Sequence, residues 1–329
     1  MDVLDRFKID VPVVQAGMSS MAPPELASAV ANAGGLGTIG FRPDSELRPA
    51  IDHVRQEAPD RAIAVNLLME LARPSHVDVC LQESIDIVVL AFGGDRALVE
   101  RFQARNVTVL AMIGTEDEAR KAIDWGVDAL IAQGNESGGH LSGHQTAANL
   151  LQRTLSIAHG TPVLQAGGIA DHADTRAALD AGAAAVVAGT RFLLTHESPA
   201  HPAYQQRILD AKQTVETTLF GLGWPRSHRV VENAATRRWC QPDGTAKAFP
   251  RTINAYSAPL AKLAPKDDDP SGLLSKQRPG LPFFTPAAPT KGMPTEWIER
   301  SALYAGDSGT RMTEVIPAAQ AVKQLAGVT

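Results

Sequence analysis

Cysteine is scarce in this chain of 329 residues: Cys80 and Cys240 are the only two. Two thiols cannot build a disulfide framework, so a reducing, cytoplasmic setting is expected. Long apolar runs are missing as well. No stretch approaches the ~20 consecutive apolar residues of a membrane span, and no basic segment followed by an apolar run opens the chain. Neither a membrane partner nor a signal peptide is therefore expected. Basic charge is not in excess either. The formal net charge is −5, which argues against a nucleic-acid partner, because such a partner favours a basic face. No cluster of His, Cys, Asp and Glu has metal-ligand spacing, so no catalytic metal is expected. What is present is 44% hydrophobic and 20% charged, enough for the core of one large domain, or of one domain with an appendage.

Short apolar runs alternate with helical patterns. The runs are PVVQA (12–16), LGTIG (36–40), AIAVNLL (62–68), IDIVVLAFG (85–93), NVTVLAMIG (106–114), VDALIAQG (127–134), TPVLQAGG (161–168) and AAAVVAGT (183–190). Stop and start signals bracket the helices between them. Pro23-Pro24 opens one and Gly34 ends it. Asp44 or Ser45 is expected to cap a helix over 44–57, and Pro74 starts the next. Thr115 and Glu118 have capping-box spacing before a helix that stops at Gly126. Asp171 caps a helix ending at Gly182. The strands read as continuous apolar runs, the signature of parallel strands covered on both faces. Eight such units favour an α/β (β/α)8 TIM barrel over an open doubly wound sheet. The first turn, QAGMSS, also lacks the GxGxxG of the open sheet. The barrel is expected from residues 1–210 and 300–329, with a helical and Pro-rich insertion at 211–299 packed on it. Within the insertion, 241–295 reads as an irregular excursion. Arg226, Arg229, Arg237 and Arg238 read as solvated surface or the base of a lid. A last helix is expected at about 313–326.

In such a barrel the loops after the strands form the working face. Gly167-Gly168 and Gly189-Thr190 follow the last two strands, where backbone amides can meet a phosphate; the competing reading is plain turn glycines. Asn66 and Gln133 end strands three and six. Their amides suit a ligand that offers donors and acceptors, or else they tie down loops. The loop NESGGHLSGH carries His140 after Gly138-Gly139, and an imidazole there can move a proton near neutral pH. His144 reads as structural, and Glu136 as a loop cap or a partner for a histidine. Cys80 reads as core and Cys240 as part of a surface segment; neither reads as a nucleophile.

The ordered motifs PVVQAGM, ELASAVANAGGLGTIG, AVNLL, QGNESGGH, QAGGIAD and VAGTRFLLTHES together resemble the nitronate monooxygenases, once called 2-nitropropane dioxygenases. The likeness is dense over about 9–210 and resumes in GWPRSHRVVEN and LYAGDSG. It implies an FMN-binding TIM barrel. Gly17 and Met18 would lie along the flavin ring. Asn66, Gln133 and Gly138 would contact it, beside Gly139. Gly168, with Gly167 next to it, and the run Val187, Ala188, Gly189 and Thr190 would hold the phosphate. His140 matches the family's catalytic base. Similar motifs occur in flavin-dependent enoyl-thioester reductases and NADH:quinone reductases. Four departures bear on the substrate: Gly17 stands where many members have proline, the GGHLSGH loop is long, Asp307 replaces a common glutamine, and strand five ends in Met112-Ile113 with no lysine or aromatic there. The expected partners are an alkyl nitronate, or another electron donor or acceptor, and O2. A third reading is a phosphate-sugar enzyme or a flavin-free barrel. A homodimer is left open.

Overall fold

Eight short parallel strands curl into a barrel in the structure, a computed structural model that describes residues 3–257, 259 and 271–328. In chain order they are β1 (Val13–Gln15), β2 (Thr38–Ile39), β3 (Ala64–Leu68), β4 (Ile87–Ala91), β5 (Thr108–Ile113), β6 (Ala129–Gln133), β8 (Val163–Ala166) and β9 (Ala185–Ala188). Each pairs with its neighbour, in the order β1-β9-β8-β6-β5-β4-β3-β2. A parallel bridge between Val14 and Leu36 brings the two ends together, with the Gln15 N–H on the Leu36 carbonyl at 2.9 Å. This is the expected TIM barrel, with strands trimmed at both ends.

Period-two alternation sorts the strand side chains into two layers. Val14, Ala64, Ile87, Val89, Ala129, Ile131 and Val187 fill the inside, with Phe7 packed among them. Val13, Val65, Val88, Leu90, Leu130 and Val186 point outward, under the helices. Those helices are α1 (Pro24–Asn32), α2 (Asp44–Glu57), α3 (Pro74–Gln82), α4 (Arg96–Gln103), α5 (Glu116–Trp125), α6 (Ala147–Ile157) and α7 (His172–Asp180). After β9 the chain makes the short α8 (Thr190–Leu193), then α9 (Pro202–Leu209), α10 (Ala234–Trp239), α11 (Ala248–Ala255) and α12 (Ser271–Leu274). The last helix of the barrel wall is α13 (Ala318–Ala326), which packs against both α1 and α7.

Several local expectations need correction. Asp44 is the first residue of α2 and Pro43 its cap. Thr115 does accept the Glu118 N–H, but Glu118 returns to Gly114 at 2.7 Å, so only half of the capping box forms. The last helix starts at Ala318 and not near 313, because Ile316 is drawn into a bridge with Thr195. The loop after β6 contains a two-residue strand, β7 (Gly139–His140). With β10 (Val215–Thr217) and β11 (His228–Val230) it makes an antiparallel sheet in the order β10-β11-β7. Cys240 is buried, not superficial, with Sγ 3.3 Å from Thr217 Oγ1. Of the stretch 241–295 read as an excursion, residues 258 and 260–270 lie outside the described residues.

Candidate functional site

The same alternation decides what reaches the C-terminal mouth of the barrel. Asn66 lies two residues beyond inward Ala64, and Gln133 two beyond inward Ile131, so both amides face in; Gln133 ends β6 as expected, whereas Asn66 sits in the middle of β3 and not at its end. Above them opens a cavity of about 880 Å³. Gly17, Met18, Asn66, Gln133 and His140 border it, as do both glycine pairs (138–139 and 167–168) and the run 187–190. Thus the residues expected to bind a cofactor, and His140, all border one cavity. His144 does not border it; that imidazole is exposed and pairs with Glu216 at 3.2 Å. Glu136 borders it too, but its carboxylate accepts the Ala147 N–H at 2.8 Å and so caps α6.

The amides differ in their commitments. Gln133 is used at both ends: Nε2–H donates to the His140 carbonyl at 3.0 Å, and Oε1 accepts the Ser142 N–H at 2.9 Å. Here the loop-tying reading accounts for one N–H and one lone pair of the amide. Asn66 Nδ2 is buried with no partner. Gly17 makes room for it, since a Cβ at 17 would lie 2.3 Å from Asn66 Cβ.

Glycine is required at 167 and 168, where φ is +108° and +77°. Among the described residues the backbone N–H groups of Gly168, Gly189 and Thr190 donate to no protein acceptor. The Ala188 side chain points outward into the strand–helix layer, so only its backbone could meet a ligand. Gly138 answers a different need: a Cβ there would lie 2.5 Å from the Gly306 amide nitrogen, so two backbones cross at this point.

His140 sits on β7, opposite His228 of β11. Its Nε2 is sealed from solvent and has no partner. The ring stacks on Trp224, with centroids 3.9 Å apart and planes at 27°. Burial drives the imidazole pKa well below its ordinary value; the Arg226 charge pushes it the same way, as His228 would if it were protonated. His228 is held neutral, its pKa pushed down to about 4 by burial. It is also fully engaged: the Phe220 N–H donates to Nε2 at 3.2 Å, which leaves Nδ1–H to donate to the Arg226 carbonyl at 2.9 Å.

Three of the four arginines of the basic cluster are in ion pairs; Arg237 and Arg238 are exposed, as expected of solvated surface, and Arg238 lies over the Trp239 ring at 5.4 Å. Arg226 pairs with Glu70 at 2.6 Å and holds that carboxyl below its usual range. Arg229 is largely covered: it donates to the Asn135 carbonyl at 2.7 Å and pairs with Asp307 at 3.3 Å. Arg237 pairs with Glu299 at 3.3 Å. Sequence reasoning assigned no role to Trp224, His228, Tyr304 or Gly306. All four lie in the two late motifs of the resemblance, which was the available signal.

A family model described as nitronate monooxygenase matches residues 2–76 and 41–327 of this chain. The chain is 39% identical over 230 residues to (3aS,4S,5R,7aS)-5-hydroxy-7a-methyl-1-oxo-octahydro-1H-indene-4-carboxyl-CoA dehydrogenase of Mycobacterium tuberculosis. That match takes in 68% of this chain and 63% of the relative, so the chain spans under two thirds of the relative's length. Among solved structures, FabK from Thermotoga maritima is similar at a TM-score of 0.77 and 29% identity, over 98% of this chain and 94% of that one. Nitroalkane oxidase from Streptomyces ansochromogenes is similar at a TM-score of 0.77 and 26% identity, over 99% and 97%.

Proposed function

We propose, because this chain belongs to the nitronate monooxygenase family of oxidoreductases, that it is FMN-dependent and oxidises alkyl nitronates with O2 to carbonyl compounds and nitrite. One observation carries the reading. Two buried polar atoms on one cavity, Asn66 Nδ2 and His140 Nε2, have no partner in the protein. Each such atom costs roughly 1–3 kcal/mol unless something completes it. A ligand with acceptors of its own would do so.

The residues present fit FMN. The free amides of Gly168, Gly189 and Thr190 would take its phosphate. Gly17, Met18 and Asn66 would lie along its ring. When bound, FMN would supply the electron transfer that links the nitronate to O2. The protein's own part is position and proton movement. Inward Val89, Ile131 and Val187 and neighbouring Met112 offer apolar surface to the alkyl part and keep water out. His140 is neutral at pH 7, so it can accept the α-proton of a neutral nitroalkane at an unprotonated ring nitrogen. The imidazolium so formed would then steady the negative charge on the nitro oxygens.

A second reading is an NAD(P)H-dependent flavin reductase acting on a quinone or an enoyl thioester. The likeness to a carboxyl-CoA dehydrogenase favours it. Mixing the purified protein with NADH or NADPH without oxygen separates the two. No bleaching, with nitrite released from a nitronate in air, supports the monooxygenase. Rapid bleaching without nitrite supports the reductase. A colourless protein that takes up no added FMN rejects both.

A further inference from the structure

A catalytic imidazole is commonly held in one orientation by a hydrogen bond at its second ring nitrogen. His140 lacks that bond: Nε2 has no partner, and among the described residues none holds Nδ1. Its backbone is pinned by β11 on one side and by Gln133 on the other. The side-chain angles are left to packing. Trp224 lies nearest and most nearly parallel, while His228 and Tyr304 touch the ring at steeper angles, 5.1 and 5.5 Å away.

Trp224 is itself clamped. Its Nε1–H donates to Glu70 Oε2. Arg226 grips the same carboxylate twice, Nε on Oε2 at 3.0 Å and Nη2 on Oε1 at 2.6 Å. The Arg226 guanidinium lies 4.8 Å from the centre of the Phe92 ring, and that ring meets Trp224 edge-on at 5.3 Å. The four side chains close a loop of contacts between the ends of β3 and β4 and the segment before β11. Phe92 holds φ at +60°, an unusual backbone for a bulky residue. Strain of this kind persists only where surrounding contacts fix it.

We infer that Trp224 is the positioning residue for His140. Its indole, anchored by Glu70 and Arg226, sets the angle of the imidazole and shields it from water, the part a hydrogen-bonded carboxylate plays elsewhere. The inference rests on the reading of His140 as base. The test therefore compares two substrates: a neutral nitroalkane, which must lose its α-proton, and a preformed nitronate, which need not. In flavin-loaded enzyme, Trp224→Ala is expected to cut kcat on the nitroalkane roughly a hundredfold and to spare the nitronate. Trp224→Phe keeps a stacking ring and recovers most of that loss. Glu70→Gln keeps an acceptor for the indole and gives a smaller loss.

A second readout needs no turnover. The His140 titration, followed by NMR in protein carrying 15N-labelled histidine, should move up toward the ordinary histidine value in Trp224→Ala. The charged and titratable groups facing the ring are His228, Arg226 and Tyr304, and none of them is altered. Equal losses on both substrates, or a titration that stays where it was, would overturn the inference. If His140→Asn leaves nitroalkane turnover intact, the base reading fails separately, and the NMR titration still decides whether Trp224 controls the ring.

Discussion

Gln133 holds His140 by its backbone and not by its ring, with Nε2–H on the His140 carbonyl oxygen at 3.0 Å. The other end of the amide takes the Ser142 N–H, so one side chain at the tip of β6 staples both flanks of the loop. Gln133→Leu would strand two backbone groups at once. It is expected to destabilise the fold by about 2–3 kcal/mol, read as a lower urea midpoint with an unchanged slope. Gln133→Glu should retain the Ser142 bond but set a carboxylate against the carbonyl, giving an intermediate loss that eases at low pH. Wild-type stability in the Leu variant would mean the loop is held by something else.

His140→Asn keeps a polar side chain but removes the proposed base. It is expected to lower kcat on a neutral nitroalkane by at least about a hundredfold, with FMN content unchanged by absorption spectrum. A preformed nitronate should still be turned over. Unchanged nitroalkane kinetics would sink the assignment.

Stability should fall on mild acidification. Burial lowers the pKa of His76, His140 and His228, the last to about 4, from an unfolded value of 6.5. Between the folded and unfolded values the unfolded chain binds more protons, so stability rises with pH. The contribution is complete above pH 6.5 and drains away as pH falls toward 4. The depressed carboxyls of Asp10, Asp44 and Glu70 lose their contribution only below their unfolded values of 3.8 and 4.5. Urea unfolding between pH 6.5 and 4.5 therefore isolates the histidines, with His228 alone contributing on the order of 2 kcal/mol across that interval. A flat line across that interval would contradict the burial seen here.

Gly17→Ala would drive a methyl group into Asn66. Overpacking of this kind costs about 1–3 kcal/mol, and it should surface as weaker FMN retention on gel filtration before any loss of helical circular dichroism. Loss of fold with FMN still retained would mean that Gly17 serves the barrel and not the ligand.

Neither thiol should react in the native protein. Burial pushes the Cys80 pKa up to about 12 and raises that of Cys240. Thiol labelling at pH 8 is expected to report no rapidly reacting group until denaturant is added, and then two.

The barrel strands are legible in the sequence because both faces of each strand are covered, which leaves unbroken apolar runs. The inward placement of Asn66 and Gln133 follows from the same period-two count. Their differing commitments do not, because the partner of each amide is set by how distant loops close. Strand β7 was invisible for a related reason. Gly139 and His140 make no apolar run and become a strand only by pairing with Arg229 and His228, nearly ninety residues further on. Trp224 is a single aromatic in a loop, with no local period to mark it. The late start of α13 does have a local signal, Pro317 directly before its first residue.

The last stave of the barrel comes from the far end of the chain. Until α13 seats itself between α1 and α7, a seam of aliphatic surface that includes Val30 stays open to water, as do the apolar faces of Ala321, Val322 and Leu325 on α13 itself. A nascent chain must therefore carry an unsealed cylinder through the synthesis of everything between β9 and residue 318. Chaperone dependence, and sensitivity to substitutions on the apolar face of α13, should be concentrated at that seam rather than at the mouth of the barrel.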